Sequence, residues 1–195
     1  MRANGSTWHA ELRIVSLMLA YTFWHWPREG AADYERHLVE FLLALEAEKP
    51  PGYLGGLSMR HGAAAWLPGP AYLDWYRVAG FADLGTLNEG AISGARRAPH
   101  DDVAAMAAGG AGGVYELQQG PAEFVDAKVA HWFGKPAGMR YAELFGELAG
   151  VPGSLWMRQM VLGPSPEFVL FATRDVALGV PATRIDVSCL WPSRR

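Results

Sequence analysis

Pro51-Gly52-Tyr53-Leu54-Gly55-Gly56-Leu57-Ser58-Met59-Arg60 and Pro152-Gly153-Ser154-Leu155-Trp156-Met157-Arg158 share one pattern. Each has a Pro-Gly break, then an apolar strand-like run, then a Met-Arg pair. A pattern that returns within one chain signals a repeated architecture. Other landmarks pair in the same order: Tyr34 with Tyr141, Gly69-Pro70 with Gly163-Pro164, and Leu84-Gly85 with Leu178-Gly179. The spacing between partners shrinks along the chain.

Working outward from these landmarks, the first half reads strand, helix, strand, strand, helix, strand. Arg13 to Phe23 is rich in β-branched and aromatic residues and reads as a strand. Ala31 to Glu48 reads as a helix, with Tyr34, Leu38, Phe41, Leu42 and Leu45 at the spacing of one buried stripe. Strands follow at Tyr53–His61 and Tyr72–Ala79, and short helices at Phe81–Ile92 and Pro99–Ala108. The run Gly109-Gly110-Ala111-Gly112-Gly113 reads as a flexible connection to a strand at Val114–Gln118. It is no phosphate loop, because it follows a helix rather than opening one. The second half reads as a strand at Glu123–Phe133, a helix at Met139–Ala149, and strands at Ser154–Val161, Phe168–Thr173 and Arg184–Leu190. It lacks most of a second helix.

The predicted fold class is therefore α+β: two tandem ferredoxin-like repeats, residues 12–120 and 121–195, behind a tail at 1–11. Their antiparallel sheets pack face to face into a single-chain barrel. This order of elements, over about residues 12–190, resembles the dimeric α+β barrel superfamily. That superfamily includes small cofactor-free monooxygenases, EthD-like and NIPSNAP-like proteins, muconolactone isomerases and the haem-binding chlorite dismutase-like proteins. The resemblance implies a central cavity for a small aromatic or anionic molecule and oxygenase- or isomerase-like chemistry. Its alternatives are a haem-binding barrel, in which His131 would supply the axial nitrogen, and a non-catalytic interaction protein with a filled barrel. The missing helix leaves sheet surface to be buried, so a homodimer through that surface is expected.

Composition narrows the partners. The 195 residues are 50% hydrophobic, with 8 Trp and a formal charge of −3. Such a chain can bury a core, and it offers no basic field to nucleic acid. The single Cys189 excludes a disulfide framework and suits a reducing cytoplasm. Ile14 to Trp26 is the most apolar stretch, shorter than the roughly 20 residues of a membrane-spanning helix. Glu11 before it, and His25 inside it, argue against a secretory leader.

Few residues in this chain can carry chemistry. Trp24-His25-Trp26 and His131-Trp132-Phe133 end equivalent strands, and an imidazole there suits proton transfer near neutral pH. The spacing of the two tyrosines pairs Trp24 with His131, so the imidazoles point to opposite faces unless the register slips by one. His25 and His131 are the catalytic candidates; Trp24, Trp75 and Tyr76 would clamp an aromatic ligand. Arg60 and Arg158 occupy matching strand positions and would hold a carboxylate or phenolate; the plainer alternative pairs them with acids such as Asp74 and Glu167. Arg96 and Arg97, beside a helix start, would bind an anion, or else pair with Asp101 and Asp102. The six His show no zinc-type spacing, so no metal is expected.

Overall fold

The computed structural model describes residues 18–159 and 165–192. The Pro-Gly breaks and apolar runs become eight antiparallel strands of one closed barrel: β1 (Leu19–Pro27), β2 (Tyr53–His61), β3 (Ala71–Val78), β4 (Ala107–Gln119), β5 (Val129–Phe133), β6 (Ser154–Gln159), β7 (Phe168–Ala172) and β8 (Thr183–Trp191). Four α-helices lie among the described residues: α1 (Ala31–Ala47), α2 (Phe81–Ala91), α3 (Arg97–Met106) and α4 (Tyr141–Leu148). Around the barrel the strands run β1-β3-β2-β8-β5-β7-β6-β4, and β4 pairs back onto β1. The first four strands thus take the order β4-β1-β3-β2 and the last four β8-β5-β7-β6. Two seams join them, β2 against β8 and β4 against β6. Closure removes the free sheet edges that would otherwise invite aggregation. No helix of the described residues is long and apolar enough to cross a membrane.

The helix stripe read from sequence is the observed one: Tyr34, Leu38, Phe41, Leu42 and Leu45 are the buried residues of α1. They cover the outer face of the first four strands. The first strand differs. Its segment before residue 18 lies outside the described residues, and it continues through Trp24-His25-Trp26 instead of stopping at Phe23. The Gly109–Gly113 run is also corrected, since it is strand, not loop. It pairs with β1, setting His25 opposite Gly110 and Trp26 opposite Gly109. The aromatic rings of β1 explain the glycines. A Cβ on Gly110 would strike the Phe23 ring, one on Gly109 would sit 2.7 Å from Trp26, and one on Gly112 2.9 Å from the Tyr21 hydroxyl. Glycine within a strand marks such a close approach.

The predicted central cavity is overturned as well. The barrel interior is filled by Trp24, Trp75, Trp132, Trp156, Tyr115, Phe124 and Phe171. Trp75 is at the centre, with ring centroids of Trp156 at 5.1 Å, Phe171 at 5.3 Å, Tyr115 at 5.4 Å and Phe124 at 5.6 Å. The last of these rings comes from 121–128, an irregular segment where a longer β5 was expected.

The expected bare sheet in the second half is covered too. Residues 173–182 form no helix, yet their Val176, Leu178 and Val180 pack with α4 over Phe133, Phe168 and Leu170. An irregular strap thus replaces the missing helix, and the homodimer loses the apolar face it was to bury.

Candidate functional site

Alternation along β1 decides which side chains meet. Trp24 points into the barrel, so His25 points outward, under α1. In β5 Trp132 points inward and His131 outward. The two imidazoles therefore share the outer side, and neither enters the barrel. The same parity separates the arginines. Met59 packs inside the barrel while Met157 packs outside it, so the two Met-Arg pairs are not equivalent positions. Arg60, on the outer side, holds Glu35 through two hydrogen bonds of 2.6 Å each. Arg158 pairs in register with the inward-facing Tyr115 and donates to the Ser165 carbonyl.

Arg96 and Arg97 do not form an anion cradle. Arg96 donates to the carbonyls of Gly90 and Glu48, tying the ends of α1 and α2 together. Arg97 pairs with Asp101 on the exposed face of α3. His131 lies 3.3 Å from Asp175 of the strap, which also meets Arg184. Trp24 and Trp75 belong to the packed interior.

A cavity of about 650 Å³ lies outside the barrel, between β4-β1-β3 and the three helices α1, α2 and α3. Two features leave this space. The glycines of β4 present no side chains there, and α2 and α3 bury only Leu87 and Val103 respectively, so both stand off the sheet. Its walls are mainly aromatic and aliphatic: Tyr21, Phe23, Phe41, Leu38, Leu84 and Leu87 are among them.

One polar chain crosses this apolar wall. The Tyr34 hydroxyl is hydrogen-bonded to His25 Nδ1. His25 Nε2 lies 3.1 Å from Asp74 Oδ2, at ion-pair distance but without hydrogen-bond alignment. The Tyr76 hydroxyl donates to that same oxygen at 2.6 Å. His25 and Asp74 are each 2% exposed. Asp74 Oδ1 has no partner. Burial, and then the charge of Asp74, push the Tyr34 and Tyr76 hydroxyls well above the ordinary tyrosine range, so both stay protonated at rest. Beside this chain, Tyr72 stacks on His25 and donates to Glu35 at 3.0 Å. Burial and that hydrogen bond push Tyr72 up to about 12. The Arg60 guanidinium in turn holds Glu35 below the usual carboxylate range.

Of the residues singled out in the sequence, His25 and Tyr76 meet here. Asp74, which the sequence offers only as a partner for an arginine, and Tyr34, a residue of the helix stripe, belong with them. The available signal was a lone carboxylate in Tyr72-Leu73-Asp74-Trp75-Tyr76, where every neighbour is apolar and a buried charge needs a reason.

A different imidazole, His61, serves the core. Its Nδ1 bonds the Gly62 carbonyl at 2.8 Å, and its Nε2 accepts the Trp132 indole N–H at 3.1 Å. That fixes a neutral ring with its proton on Nδ1, and burial pushes it down from 6.5 to about 4. The unfolded chain therefore binds the extra proton first, and stability rises with pH across this window. Acidification from pH 6.5 towards 4 is expected to cost about 3 kcal/mol through this group. Urea unfolding across that range checks it: His61→Gln should show a clearly shallower loss than the parent.

No family model matches the chain, and no curated protein matches it in sequence. Among solved structures, a protein provisionally assigned as a chlorite dismutase aligns with a TM-score of 0.53 at 13% identity, over 89% of this chain and 94% of its own. A provisionally assigned monooxygenase from Lactobacillus acidophilus aligns with a TM-score of 0.40 at 12% identity, over 88% of this chain and 76% of its own. The first likeness extends over nearly the whole of both molecules, and this chain has the α+β barrel fold.

Proposed function

We propose that the chain binds a small, largely apolar aromatic molecule between the outer face of β4-β1-β3 and helices α1 to α3, and moves a proton on it. The observation that carries this reading is the buried Tyr34–His25–Asp74–Tyr76 chain on the wall of a cavity of ligand size. With His25 Nε2 facing Asp74, Nδ1 is the nitrogen that takes up a proton, and the Tyr34 hydroxyl is the proton it reaches. A proton leaving a bound hydroxyl or activated carbon passes to the Tyr34 oxygen as the Tyr34 proton passes to Nδ1. Asp74 stabilises the imidazolium so formed. Return of the proton at another atom would be isomerase-like chemistry. Loss of the proton to give an electron-rich anion would be the first step of a cofactor-free oxygenation.

The tandem ferredoxin-like reading belongs to the same proposal. The matching orders β4-β1-β3-β2 and β8-β5-β7-β6 support two such halves, meeting near residue 120. Haem suits these walls poorly. Among the described residues they carry a buried carboxylate and no Lys or Arg to meet haem carboxylates, and His25 Nδ1 is already engaged by the Tyr34 hydroxyl. His131 lines neither this cavity nor the smaller one at 121–127. An anionic ligand is disfavoured for the same reason.

Leu87→Trp tests the reading by filling the space under α2. Naphthol binding, followed by fluorescence titration, is expected to weaken at least about tenfold in this variant. Trp66→Leu, on the barrel side, should leave it unchanged. Equal binding by the parent and Leu87→Trp would refute the reading, and so would a Soret band on adding haemin that His25→Ala removes.

A further inference from the structure

The wall of the outer cavity is electrically one-sided. Among the described residues Asp74 is its only carboxylate, and it holds no Lys or Arg; its other ionisable groups are the imidazoles of His25 and His100 and the hydroxyls of Tyr21, Tyr34 and Tyr76. Asp74 spends only one oxygen on the protein. Oδ2 takes the Tyr76 hydroxyl and faces His25, whereas Oδ1 is buried without a partner, on a side chain 3% exposed. A buried carboxylate oxygen with no donor is costly, and an occupant that donates to it recovers that cost. Around it stand aromatic rings: Tyr34 and Tyr76 reach the His25–Asp74 pair directly, and Tyr21 stacks on Tyr76 at 6.3 Å. A carboxylate in an apolar, aromatic-walled cavity is an arrangement that holds an organic cation, which gains the charge pair there.

We infer that the cavity selects an aromatic molecule bearing a protonated amine, which donates to Asp74 Oδ1, and that it rejects the matching carboxylate. This rests on the reading of the cavity as a ligand site and adds a charge preference to it. His100, on the α3 side of the cavity, is turned to Asp101, with Nδ1 at 3.1 Å, and edges Phe41. Any charge on it is met by the Asp101 carboxylate rather than presented to such a ligand. Discrimination of this kind comes from leaving the wrong partner unpaired or repelled in a dry site, rather than from contact area.

Three probes of nearly equal shape separate the possibilities: naphthylethylamine, naphthylethanol and naphthylacetate, titrated calorimetrically into the full chain at neutral pH. The amine is expected to bind about tenfold or more tighter than the alcohol, and the acetate more weakly than the alcohol. In Asp74→Asn, which keeps an acceptor for Tyr76, the amine should lose its advantage over the alcohol. Should that variant not fold, the ranking in the parent decides, together with loss of amine binding in Leu87→Trp. Alcohol or acetate binding as tightly as the amine would overturn the inference while leaving the cavity reading intact. An amine advantage that survives Asp74→Asn would overturn it too. Binding of none of the three would overturn both.

Discussion

Trp75→Ala is expected to destabilise the protein by about 3–5 kcal/mol, the range for emptying a large aromatic site in a packed core. Trp75 is 0% exposed and meets four rings at centroid distances of 5.1 to 5.6 Å. Those neighbours come from β4, β6, β7 and the 121–128 segment, so they are anchored on separate parts of the barrel wall. Each is held by its own part of the wall, which limits how far it can relax into the void. The indole N–H has no partner to lose, so the loss is one of packing and apolar transfer. Guanidinium unfolding measures it. A change below about 1 kcal/mol would mean that the interior is not the packed cluster described.

Tyr34→Phe is expected to cost about 10² to 10⁴-fold in proton transfer at a bound ligand while leaving its binding nearly intact. β-Tetralone, an apolar carbon acid of suitable size, reports this through the rate of hydrogen exchange into heavy water, followed by proton NMR. The substitution removes one hydroxyl and keeps the ring that packs on Tyr72, at 5.2 Å, and under α1. Losing the partner of His25 Nδ1 carries a stability cost of about 1–3 kcal/mol, so the exchange rate is compared with folding verified. His25→Ala should lose at least as much rate. If Tyr34→Phe exchanged as fast as the parent, Tyr34 would carry no proton and the relay would be wrong.

How far the sequence foretold this structure depends on contrast between neighbouring residues. The α1 stripe was legible because Tyr34, Leu38, Phe41, Leu42 and Leu45 recur at three- and four-residue spacing, with charged residues such as Glu35, Arg36 and Glu40 among them. Strand direction was not. In Leu19-Ala20-Tyr21-Thr22-Phe23-Trp24 both faces are nearly apolar, because one meets the barrel interior and the other meets helices. Period-two reading then cannot say which tryptophan fills the barrel or which side His25 takes. The matching Met-Arg pairs misled for the same reason, since a shift of one residue reverses every side chain.

Glycine weakens a strand taken alone, so the run reads as a connection in the sequence. Only pairing with the rings of β1 makes it strand, and that partner lies far away in the sequence. Of the site itself, His25 and Tyr76 were legible as chemistry-bearing residues. The cavity was not. It exists because a side-chain-free strand, two helices that stand off the sheet and the aromatic face of β1 meet in three dimensions. The buried Asp74 was legible in principle, and its neighbours made it conspicuous.

The most direct test of the account is the place where an aromatic ligand sits. A crystal of the protein soaked with naphthol is predicted to show the ring between Phe41, Leu87 and the glycine face of β4, its hydroxyl within hydrogen-bonding distance of Tyr34 or Asp74. The barrel interior should show only its own tryptophans. A ligand seated among Trp75, Trp132 and Trp156 inside the barrel would contradict the account.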